Sequence, residues 1–179
     1  MPSNGGVWQP QPCALLPVAL SFMLVFGCSR LTPVPRYTGA PQSAVTAELI
    51  RRRSADERRL LRVVDRYLGV PYQWGGTTRR GMDCSAWVRA IVRETYGIEL
   101  PRTSEQMFTV GSFVPHAQLQ AGDLLFFRDT DAVSGVSHVG IYVGAGRFAH
   151  ASVTQGGTIA QLSSAYFSAR YVGARRLPR

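Results

Sequence analysis

Cys84 is the residue of this sequence whose type and position best fit nucleophilic chemistry. It follows an irregular, glycine-containing stretch, residues 72–83, and precedes apolar residues at helical spacing that continue to Gly97. This pattern predicts that a helix begins at the cysteine. At a helix N-terminus the backbone N–H groups and the helix dipole stabilise a thiolate, which is the form of cysteine that attacks carbon. The sequence therefore predicts a nucleophilic Cys84.

Two histidines, His138 and His150, lie on two neighbouring predicted strands and fit the other half of this chemistry. A thiol nucleophile needs a base that takes its proton and later returns it to the leaving amine, and the base needs a polar group that orients its ring. We expect His138 to be the base facing Cys84 and His150 to be the orienting group. The third histidine, His116, is expected to be an ordinary surface residue.

The register of the predicted hairpin decides whether the two imidazoles can meet. If residues 144–146 form a three-residue loop, Val143 faces Arg147 and Gly140 faces His150. Both histidines then lie on one face as diagonal neighbours, about 7–8 Å apart at the backbone. A two-residue loop would place them on opposite faces. The two glycines of this segment favour the longer loop.

A zinc site is the alternative interpretation of the same residues. Cysteine and histidine are zinc ligands, and Cys84, His138 and His150 would need a fourth ligand such as Asp83 or a water. We regard nucleophilic catalysis as the better interpretation because the cysteine lies at a helix start, and we expect neither a metal nor an organic cofactor.

The composition is that of one basic globular domain with additional N-terminal material. The chain has 179 residues; its 20 basic residues are all arginine and its 11 acidic residues leave a formal charge of +9. Such a charge is typical of a basic surface or of attraction to a polyanion such as an anionic wall polymer or membrane headgroups. The arginines are scattered without interleaved aromatic residues, so we expect no nucleic-acid partner.

The N-terminal segment predicts export. Residues 1–27 carry no charged side chain, and residues 14–26 form a mostly apolar run of the length of a signal-peptide core. The run ends in Leu24-Val25-Phe26-Gly27-Cys28, which resembles the lipobox of bacterial lipoproteins, in which the cysteine is acylated. Two departures, the absence of a preceding basic residue and Phe26 in place of a small residue, leave a plain signal peptide or a misassigned start codon as alternatives.

We therefore predict a lipoprotein signal peptide over 1–27, a lipid-anchored flexible tether over 28–53 and a catalytic domain over 54–179. The tether holds Pro33, Pro35, Gly39 and Pro41, and a short helix is expected near residues 44–53. Loss of the signal peptide and acylation of Cys28 would leave Cys84 as the single thiol of the mature domain. A solitary thiol in an oxidising compartment is either buried and inert or functional, and its position at a helix start favours function.

Helix signals precede strand signals along the domain. Ser54 and Glu57 form a capping box for a first helix that ends near Gly69, and Thr103 and Gln106 form another for a third helix that ends at Gly111. Residues 122–127 then predict a turn followed by a buried strand, and alternating or apolar segments predict further strands at 137–143, 147–152, 158–162 and 171–176. We predict an α+β fold in which N-terminal helices pack on an antiparallel meander sheet.

An ordered set of short motifs resembles the NlpC family of papain-like bacterial cell-wall endopeptidases. The motifs are Tyr72-Gln73-Trp74-Gly75-Gly76, Asp83-Cys84-Ser85, Pro101-Arg102-Thr103-Ser104, Gly122-Asp123-Leu124, His138-Val139-Gly140-Ile141-Tyr142 and His150-Ala151-Ser152. The resemblance implies a papain-like fold with Cys84 as nucleophile, His138 as base, His150 as orienting residue and Tyr72 as an active-site hydroxyl. Ala86 departs from the glycine that many members have after the serine.

The resemblance also implies a reaction and a location. The expected reaction is hydrolysis of an amide bond in peptidoglycan stem peptides, at γ-D-glutamyl–diaminopimelate or at diaminopimelate–D-alanine. Arg102 and Arg79 or Arg80 are candidates for binding stem carboxylates. We expect an outer-membrane lipoprotein facing the periplasm, with peptidoglycan as partner. A non-catalytic wall-binding lipoprotein, or an amidase or acyltransferase on the same scaffold, are the alternatives.

Overall fold

Helices come first along the chain and antiparallel strands follow, as predicted for an α+β fold. The computed structural model describes residues 54–128 and 135–178. The predicted signal peptide, the tether with its short helix and Cys28 lie outside the described residues. Within the described part, no helix is long and apolar enough to cross a membrane.

The first helix, α1, spans Ala55–Tyr67 and has the predicted capping box. The backbone N–H of Glu57 donates to the hydroxyl of Ser54 at 3.3 Å, and the N–H of Ser54 donates to the Glu57 carboxylate at 3.0 Å. These two bonds satisfy N–H groups that have no partner inside the helix. The helix ends two residues before the predicted Gly69.

The second helix, α2, spans Cys84–Tyr96 and begins at the cysteine, as predicted. Asp83 caps it, because its carboxylate accepts the N–H of Ala86 at 2.8 Å. Gly97 ends it with a φ of 72°, a left-handed conformation that glycine adopts at low cost. The third helix, α3, spans Ser104–Phe108 and shows the predicted box at its cap Thr103, but ends before Gly111.

The strands are β1 (Thr77–Thr78), β2 (Gly81–Met82), β3 (Ser112–Val114), β4 (Leu124–Arg128), β5 (Val136–Gly144), β6 (Arg147–Ser152), β7 (Gly156–Gln161) and β8 (Tyr171–Arg176). A one-turn helix, α4 (Ala165–Ser168), precedes β8. β1 pairs with β2, and the other strands form one antiparallel sheet in the order β3-β8-β4-β5-β6-β7. The predicted meander is correct for β4 to β7. It is wrong for β8, which lies between β4 and β3.

An ion pair between a partly exposed arginine and a buried aspartate accounts for part of this placement of β8. The guanidinium of Arg176 donates to both carboxylate oxygens of Asp123, each at 2.8 Å. Asp123 is fully buried at the start of β4, and Arg176 is the last residue of β8. A bidentate guanidinium–carboxylate pair fixes relative orientation as well as distance. It therefore joins β8 to β4, although the two residues lie far apart in sequence.

The loop between β5 and β6 differs from the prediction, although the two histidines still share a face. Gly144 ends β5 and lies opposite Arg147, so the turn has two residues, Ala145 and Gly146, both with positive φ. The predicted pairing of Val143 with Arg147 is therefore wrong. The register shifts at Val143, and this bulge adds one residue to β5. The extra residue offsets the shorter turn and preserves the pairing of Ile141 with Ala149, which was implied by the predicted register.

The sheet has two apolar faces. The first face packs against α1 and α2, and Trp87 and Ile91 of α2 are fully buried in this contact. The second face carries a smaller cluster that includes Phe127, Phe148 and Leu162. Because side chains alternate along a strand, His150 lies on the second face with Phe148. The helix that begins at Cys84 therefore packs against the same sheet whose strands β5 and β6 carry the two histidines.

Gly157 of β7 marks the tightest contact between sheet and helices, and we expect Gly157→Ala to lower the free energy of unfolding by about 3 kcal/mol. A Cβ there would lie 2.2 Å from the carbonyl oxygen of Tyr67 and 2.7 Å from Nε1 of Trp87. Those two atoms are already hydrogen-bonded to each other at 3.0 Å. Denaturant unfolding measures the effect. Gly173→Ala is the matched control, with its nearest atom at 3.6 Å; equal losses in the two variants would contradict this packing.

Candidate active site

Cys84 lies at the floor of an open cleft of about 330 Å³. Its side chain is 7% exposed, and its Sγ donates to the carbonyl oxygen of Ser137 at 3.9 Å. Ser137 directly precedes His138 on β5. The structure therefore brings the N-terminus of α2 against the end of the strand that carries the predicted base.

Ser137 is itself an irregular residue. β4 pairs Phe127 with His138 but Arg128 with Val136, so Ser137 is the extra residue of a bulge in β5. A bulge bends a strand and turns its backbone groups away from the regular ladder. The bulge accounts for a strand carbonyl that meets the sulfur of a helix residue, and nothing in the sequence pattern indicated it.

A charged network holds the start of α2 in place. The carboxylate of Asp83 accepts the hydroxyl of Ser85 and the N–H of Ala86, each at 2.8 Å, and pairs with Arg102 at 2.5 Å. Arg102 also donates to the Ser85 hydroxyl at 2.7 Å and to the carbonyl of Gly75 at 3.2 Å. The network ties the glycine-containing loop, the helix start and the segment before α3 together around Cys84.

The same network determines the ionisation of its members. Burial alone would raise the pKa of Asp83, but hydrogen bonds from Arg102, Ala86 and Ser85 together lower it below the usual 3.8. The Asp83 contact raises the pKa of Arg102 further, with the nearby Cys84 as a smaller cause. Asp83 therefore remains a carboxylate and Arg102 a cation at neutral pH.

His138 and His150 are in direct contact. Nε2 of His138 lies 3.0 Å from Nδ1 of His150, and the two rings are nearly perpendicular, with centroids 5.0 Å apart. The expectation that they share one face is correct. Because its Nε2 is engaged, His138 has Nδ1 as the nitrogen available for a proton from a neighbouring thiol.

Aromatic residues surround this pair and remove it from water. The ring of His150 stacks on Phe148 at 5.0 Å and meets Phe167 edge-on at 5.1 Å, while His138 lies 6.1 Å from Phe127. Burial lowers the pKa of His138 to about 4. Burial, followed by the proximity of His138, lowers the pKa of His150 well below 6.5, and a backbone hydrogen bond with Ala151 opposes this shift. Both rings are therefore neutral at neutral pH.

This burial predicts a loss of stability in mild acid. With a pKa of 6.5 unfolded and about 4 folded, His138 binds more protons in the unfolded chain between those two values. The free energy of unfolding therefore falls as pH falls through that window, by about 2–3 kcal/mol from this group between pH 7 and pH 4.5. Urea unfolding followed across that range measures the slope.

Matched variants identify the source of that slope. His138→Asn removes one of the two buried imidazoles and should reduce the pH dependence to the part that His150 contributes. His116→Asn, a change at an exposed ring outside this pair, is the matched control. The ion pair of Asp83 does not interfere, because its contribution is lost only as pH falls below its ordinary pKa of 3.8. A wild-type slope in His138→Asn would contradict the assignment.

Two aromatic residues line the cleft beside the sulfur. Tyr72, the predicted active-site hydroxyl, lies in the cleft and is half-buried. Trp74 also lines the cleft, and 68% of its surface is exposed. The sequence alone provided no reason to assign a role to Trp74, although it lies in the family-like motif of residues 72–76. An exposed tryptophan beside a nucleophile provides a flat apolar surface for a bound chain.

The three candidate arginines lie in different places. Arg102 lines the cleft, but its guanidinium is paired with Asp83. Arg79 stacks on the ring of Tyr67 at 4.1 Å and lines a different cavity. Arg80 is exposed and is not among the residues lining the cleft. The structure thus brings only Arg102 together with Cys84.

The described residues offer no site of the kind that the zinc alternative requires. Across residues 54–128 and 135–178, no group of three or more histidine, cysteine, aspartate or glutamate side chains is arranged to hold a metal ion. The nitrogens that the two histidines direct at each other form a hydrogen bond, which occupies one donor and one acceptor.

Helices on an antiparallel sheet, with a cysteine at a helix start and paired histidines on adjacent strands, define a papain-like α+β domain. This chain belongs to the NlpC/P60 family, whose match covers residues 69–176. The predicted family and fold class are thereby confirmed.

Named relatives support this placement. The chain is 39% identical over 121 residues to a probable endopeptidase NlpC homolog of Haemophilus influenzae, covering 68% of this chain and 63% of that protein. It is 41% identical over 119 residues to the murein DD-endopeptidase MepS/murein LD-carboxypeptidase of Escherichia coli K12, covering 65% of this chain and 62% of that protein. The matched region thus spans slightly less than two thirds of each relative.

A solved structure shows the same fold. An NLP/P60-family protein from Staphylococcus aureus Mu50, described as similar to a lipoprotein, superimposes with a TM-score of 0.64 at 31% identity. The match covers 71% of this chain and 43% of that one.

Proposed function

We propose that this protein is a cysteine peptidase that hydrolyses an amide bond in the stem peptides of peptidoglycan or in their crosslinks. The observation that carries the proposal is the 3.0 Å contact between His138 and His150 on the strand pair beside Cys84. A buried, neutral imidazole oriented by a second one is the arrangement that a thiol nucleophile requires. Relatives named as murein endopeptidases supply the substrate class.

The proposed reaction begins with a proton transfer. In the resting pair, Nε2–H of His138 donates to Nδ1 of His150, which leaves the lone pair of His138 on Nδ1. That nitrogen takes the thiol proton of Cys84, and the thiolate attacks the carbonyl carbon of the scissile amide. Backbone N–H groups at the start of α2 stabilise the resulting oxyanion.

Two further steps complete the cycle. The tetrahedral intermediate collapses as the imidazolium of His138 gives its proton to the departing amine, and a thioester to Cys84 remains. A water then loses a proton to His138 and attacks the thioester. Collapse of this second intermediate releases the new carboxylate and returns the proton to the sulfur. His150 holds the ring of His138 throughout.

The scissile bond is proposed to be γ-D-glutamyl–diaminopimelate or diaminopimelate–D-alanine. The Escherichia coli relative is named for DD-endopeptidase and LD-carboxypeptidase activities, and this supports a cut within stems or crosslinks. In this scheme Tyr72 is an auxiliary hydroxyl in the cleft, and Arg102 acts mainly by holding Asp83 and the helix start.

We further propose that the protein is anchored to the outer membrane and faces the periplasm. The support is the uncharged N-terminal segment and its lipobox-like end at Cys28. Metabolic labelling with a radioactive fatty acid tests this: the wild type should carry label and Cys28→Ala should not. Label retained by Cys28→Ala, or absent from both, would contradict the anchor.

Digestion of purified sacculi tests the enzyme. The released fragments are separated and identified by mass. A cut within the stem or at a crosslink supports the endopeptidase, whereas a severed sugar–peptide bond would make the protein an amidase. Intact sacculi, bound but not cut, would indicate a non-catalytic wall-binding lipoprotein, and products extended by a new acyl acceptor would indicate an acyltransferase.

Trp74→Ala is expected to raise KM for solubilised stem peptides about five- to tenfold with kcat within about twofold, because the ring offers binding surface but no reacting group. Steady-state kinetics on purified muropeptides provides both values. Trp74→Phe keeps an aromatic face and should recover most of the affinity, and Phe113→Ala removes a similarly exposed ring outside the cleft. A loss confined to kcat would contradict a binding role.

A further inference from the structure

A second cavity, of about 340 Å³, lies next to the cleft and is lined by Arg79, Arg89 and Arg93. We call it the basic cavity. The hairpin of β1 and β2 separates the two spaces. Gly75 and Asp83, which flank this hairpin, line the cleft, whereas three of its four strand residues, Thr77, Thr78 and Met82, line the basic cavity.

One face of α2 forms the wall of the basic cavity. Ala86, Arg89, Ala90 and Arg93 recur at the spacing of residues on one helix face. The two alanines are buried and make a shallow floor, and the arginines stand at its rim. The same helix carries Cys84 as its first residue. The basic cavity therefore runs along α2 from the turn that holds the nucleophile.

Positive charge dominates the cavity. Among its described lining residues only Glu99 is acidic, and Glu99 is exposed. Its carboxylate lies 3.9 Å from Arg89 and 3.8 Å from Arg93, distances at which exposed pairs contribute little. The neighbouring Arg66 is balanced by its own pair with Glu94. The carboxylate of Glu94 also interacts electrostatically with Arg79, so the three guanidinium groups are balanced by the weakly bound carboxylate of Glu99 and by a share of Glu94.

Arg79 is held in position without using all its donors. Its Nη1 donates to the carbonyl of Arg66 at 2.8 Å, and its guanidinium lies over the ring of Tyr67. Such a stacked, hydrogen-bonded arginine loses little additional freedom when it binds an anion. Thr77 and Thr78 add exposed hydroxyls to the same rim.

We propose that the basic cavity binds a carboxylate of the peptidoglycan chain whose scissile amide lies at Cys84. This inference rests on the proposed function, because it takes the stem peptide as substrate. At 1.5 Å and about 100° per helical residue, Arg89 and Arg93 lie roughly 7.5 and 13.5 Å along the axis from Cys84 and about 140° and 180° around it. A peptide that follows the helix surface, at a radius of about 5 Å, covers that path in roughly four to six extended residues. Guanidinium groups pair with carboxylates through two parallel hydrogen bonds, so a carboxylate at that distance fits the site.

Binding to sacculi tests the site separately from catalysis. The full chain with Cys84→Ala is incubated with purified sacculi and pelleted, so that affinity is measured without turnover. We expect Arg79→Gln/Arg93→Gln in this background to weaken binding about fivefold or more. The matched control, Arg62→Gln/Arg147→Gln, removes the same charge away from the cavity and should change binding less than about twofold. Arg93→Gln alone, a change at an exposed side chain that pairs with exposed Glu99, should also weaken binding and keeps the test open if the double variant does not fold.

A chemical arm identifies the ligand. Sacculi whose carboxylates have been converted to neutral methylamides should bind the parent and the Arg79→Gln/Arg93→Gln chain equally. Equal binding of the site and control variants to native sacculi, or no effect of amidation on the parent, would overturn the proposal. The proposal would also be overturned if Arg79→Gln/Arg93→Gln lost binding to anionic phosphatidylglycerol vesicles but kept binding to sacculi. The ligand would then be a lipid headgroup. Digestion by the wild type reports separately on the proposed function.

Discussion

Replacing Cys84 by serine is expected to lower the rate of stem-peptide hydrolysis by at least about 1,000-fold while changing Tm by no more than about 2 °C. A serine hydroxyl fits the space of the thiol but is a far weaker acid, and the buried imidazole of His138 cannot ionise it. Muropeptide release measures activity, and thermal unfolding measures Tm.

Alkylation provides the control for this variant. Iodoacetamide should inactivate the wild type, and peptide mapping should place the modification at Cys84; the serine variant should not be modified there. A near-wild-type rate in Cys84→Ser would mean that the nucleophile is elsewhere. A large fall in Tm would attribute the loss of activity to folding rather than to chemistry.

The two histidines are expected to differ in the size of their effect. His138→Ala should cost at least about 1,000-fold in kcat because it removes the proton carrier, whereas His150→Ala should cost about 10- to 100-fold. His150→Asn should recover much of that loss, because its amide oxygen can accept the Nε2–H of His138 as Nδ1 does in the 3.0 Å contact. Single-turnover kinetics measures each step.

His116→Ala is the matched control, since His116 is exposed and its ring meets Tyr171 edge-on, outside the histidine pair. It should retain wild-type activity. If His150→Ala lost more activity than His138→Ala, the two roles would be exchanged. If His150→Asn were no better than His150→Ala, the 3.0 Å contact would not be what orients the base.

Local signals in the sequence were sufficient to find the first three helices, but not the one-turn helix α4. The capping boxes at Ser54 and Thr103 and the left-handed stop at Gly97 depend on side chains within a few residues of each other, so reading along the chain finds them. The position of Cys84 at a helix start follows from the same signals.

Contacts between distant segments could not be predicted in this way. Arg102 pairs with Asp83, and Arg176 with Asp123, through folding that brings separate motifs together, and neither partner is marked by spacing. The placement of β8 depends on such a contact. Arg79 was predicted as a cleft residue, but the hairpin of β1 and β2, too short to give a periodic signal, directs it into the basic cavity.

The histidine pair shows how a correct conclusion can follow from a partly wrong premise. The two histidines share a face only if an odd number of residues separates the two members of the last regular strand pair, and the predicted three-residue loop met this condition. In the structure a two-residue turn and a bulge at Val143 together meet the same condition. Turn length and strand irregularity compensate for each other, and the sequence pattern shows only their sum.

The bulge at Val143 also means that the orientation of His150 relative to His138 depends on whether the number of residues between them is odd or even. Each residue inserted or deleted between the two histidines reverses the side of the sheet to which one ring projects, unless a second irregularity cancels it. Evolution can therefore lengthen this hairpin in pairs of residues but not singly, and a one-residue change at its exposed tip would disconnect the rings while the hydrophobic interior stayed assembled.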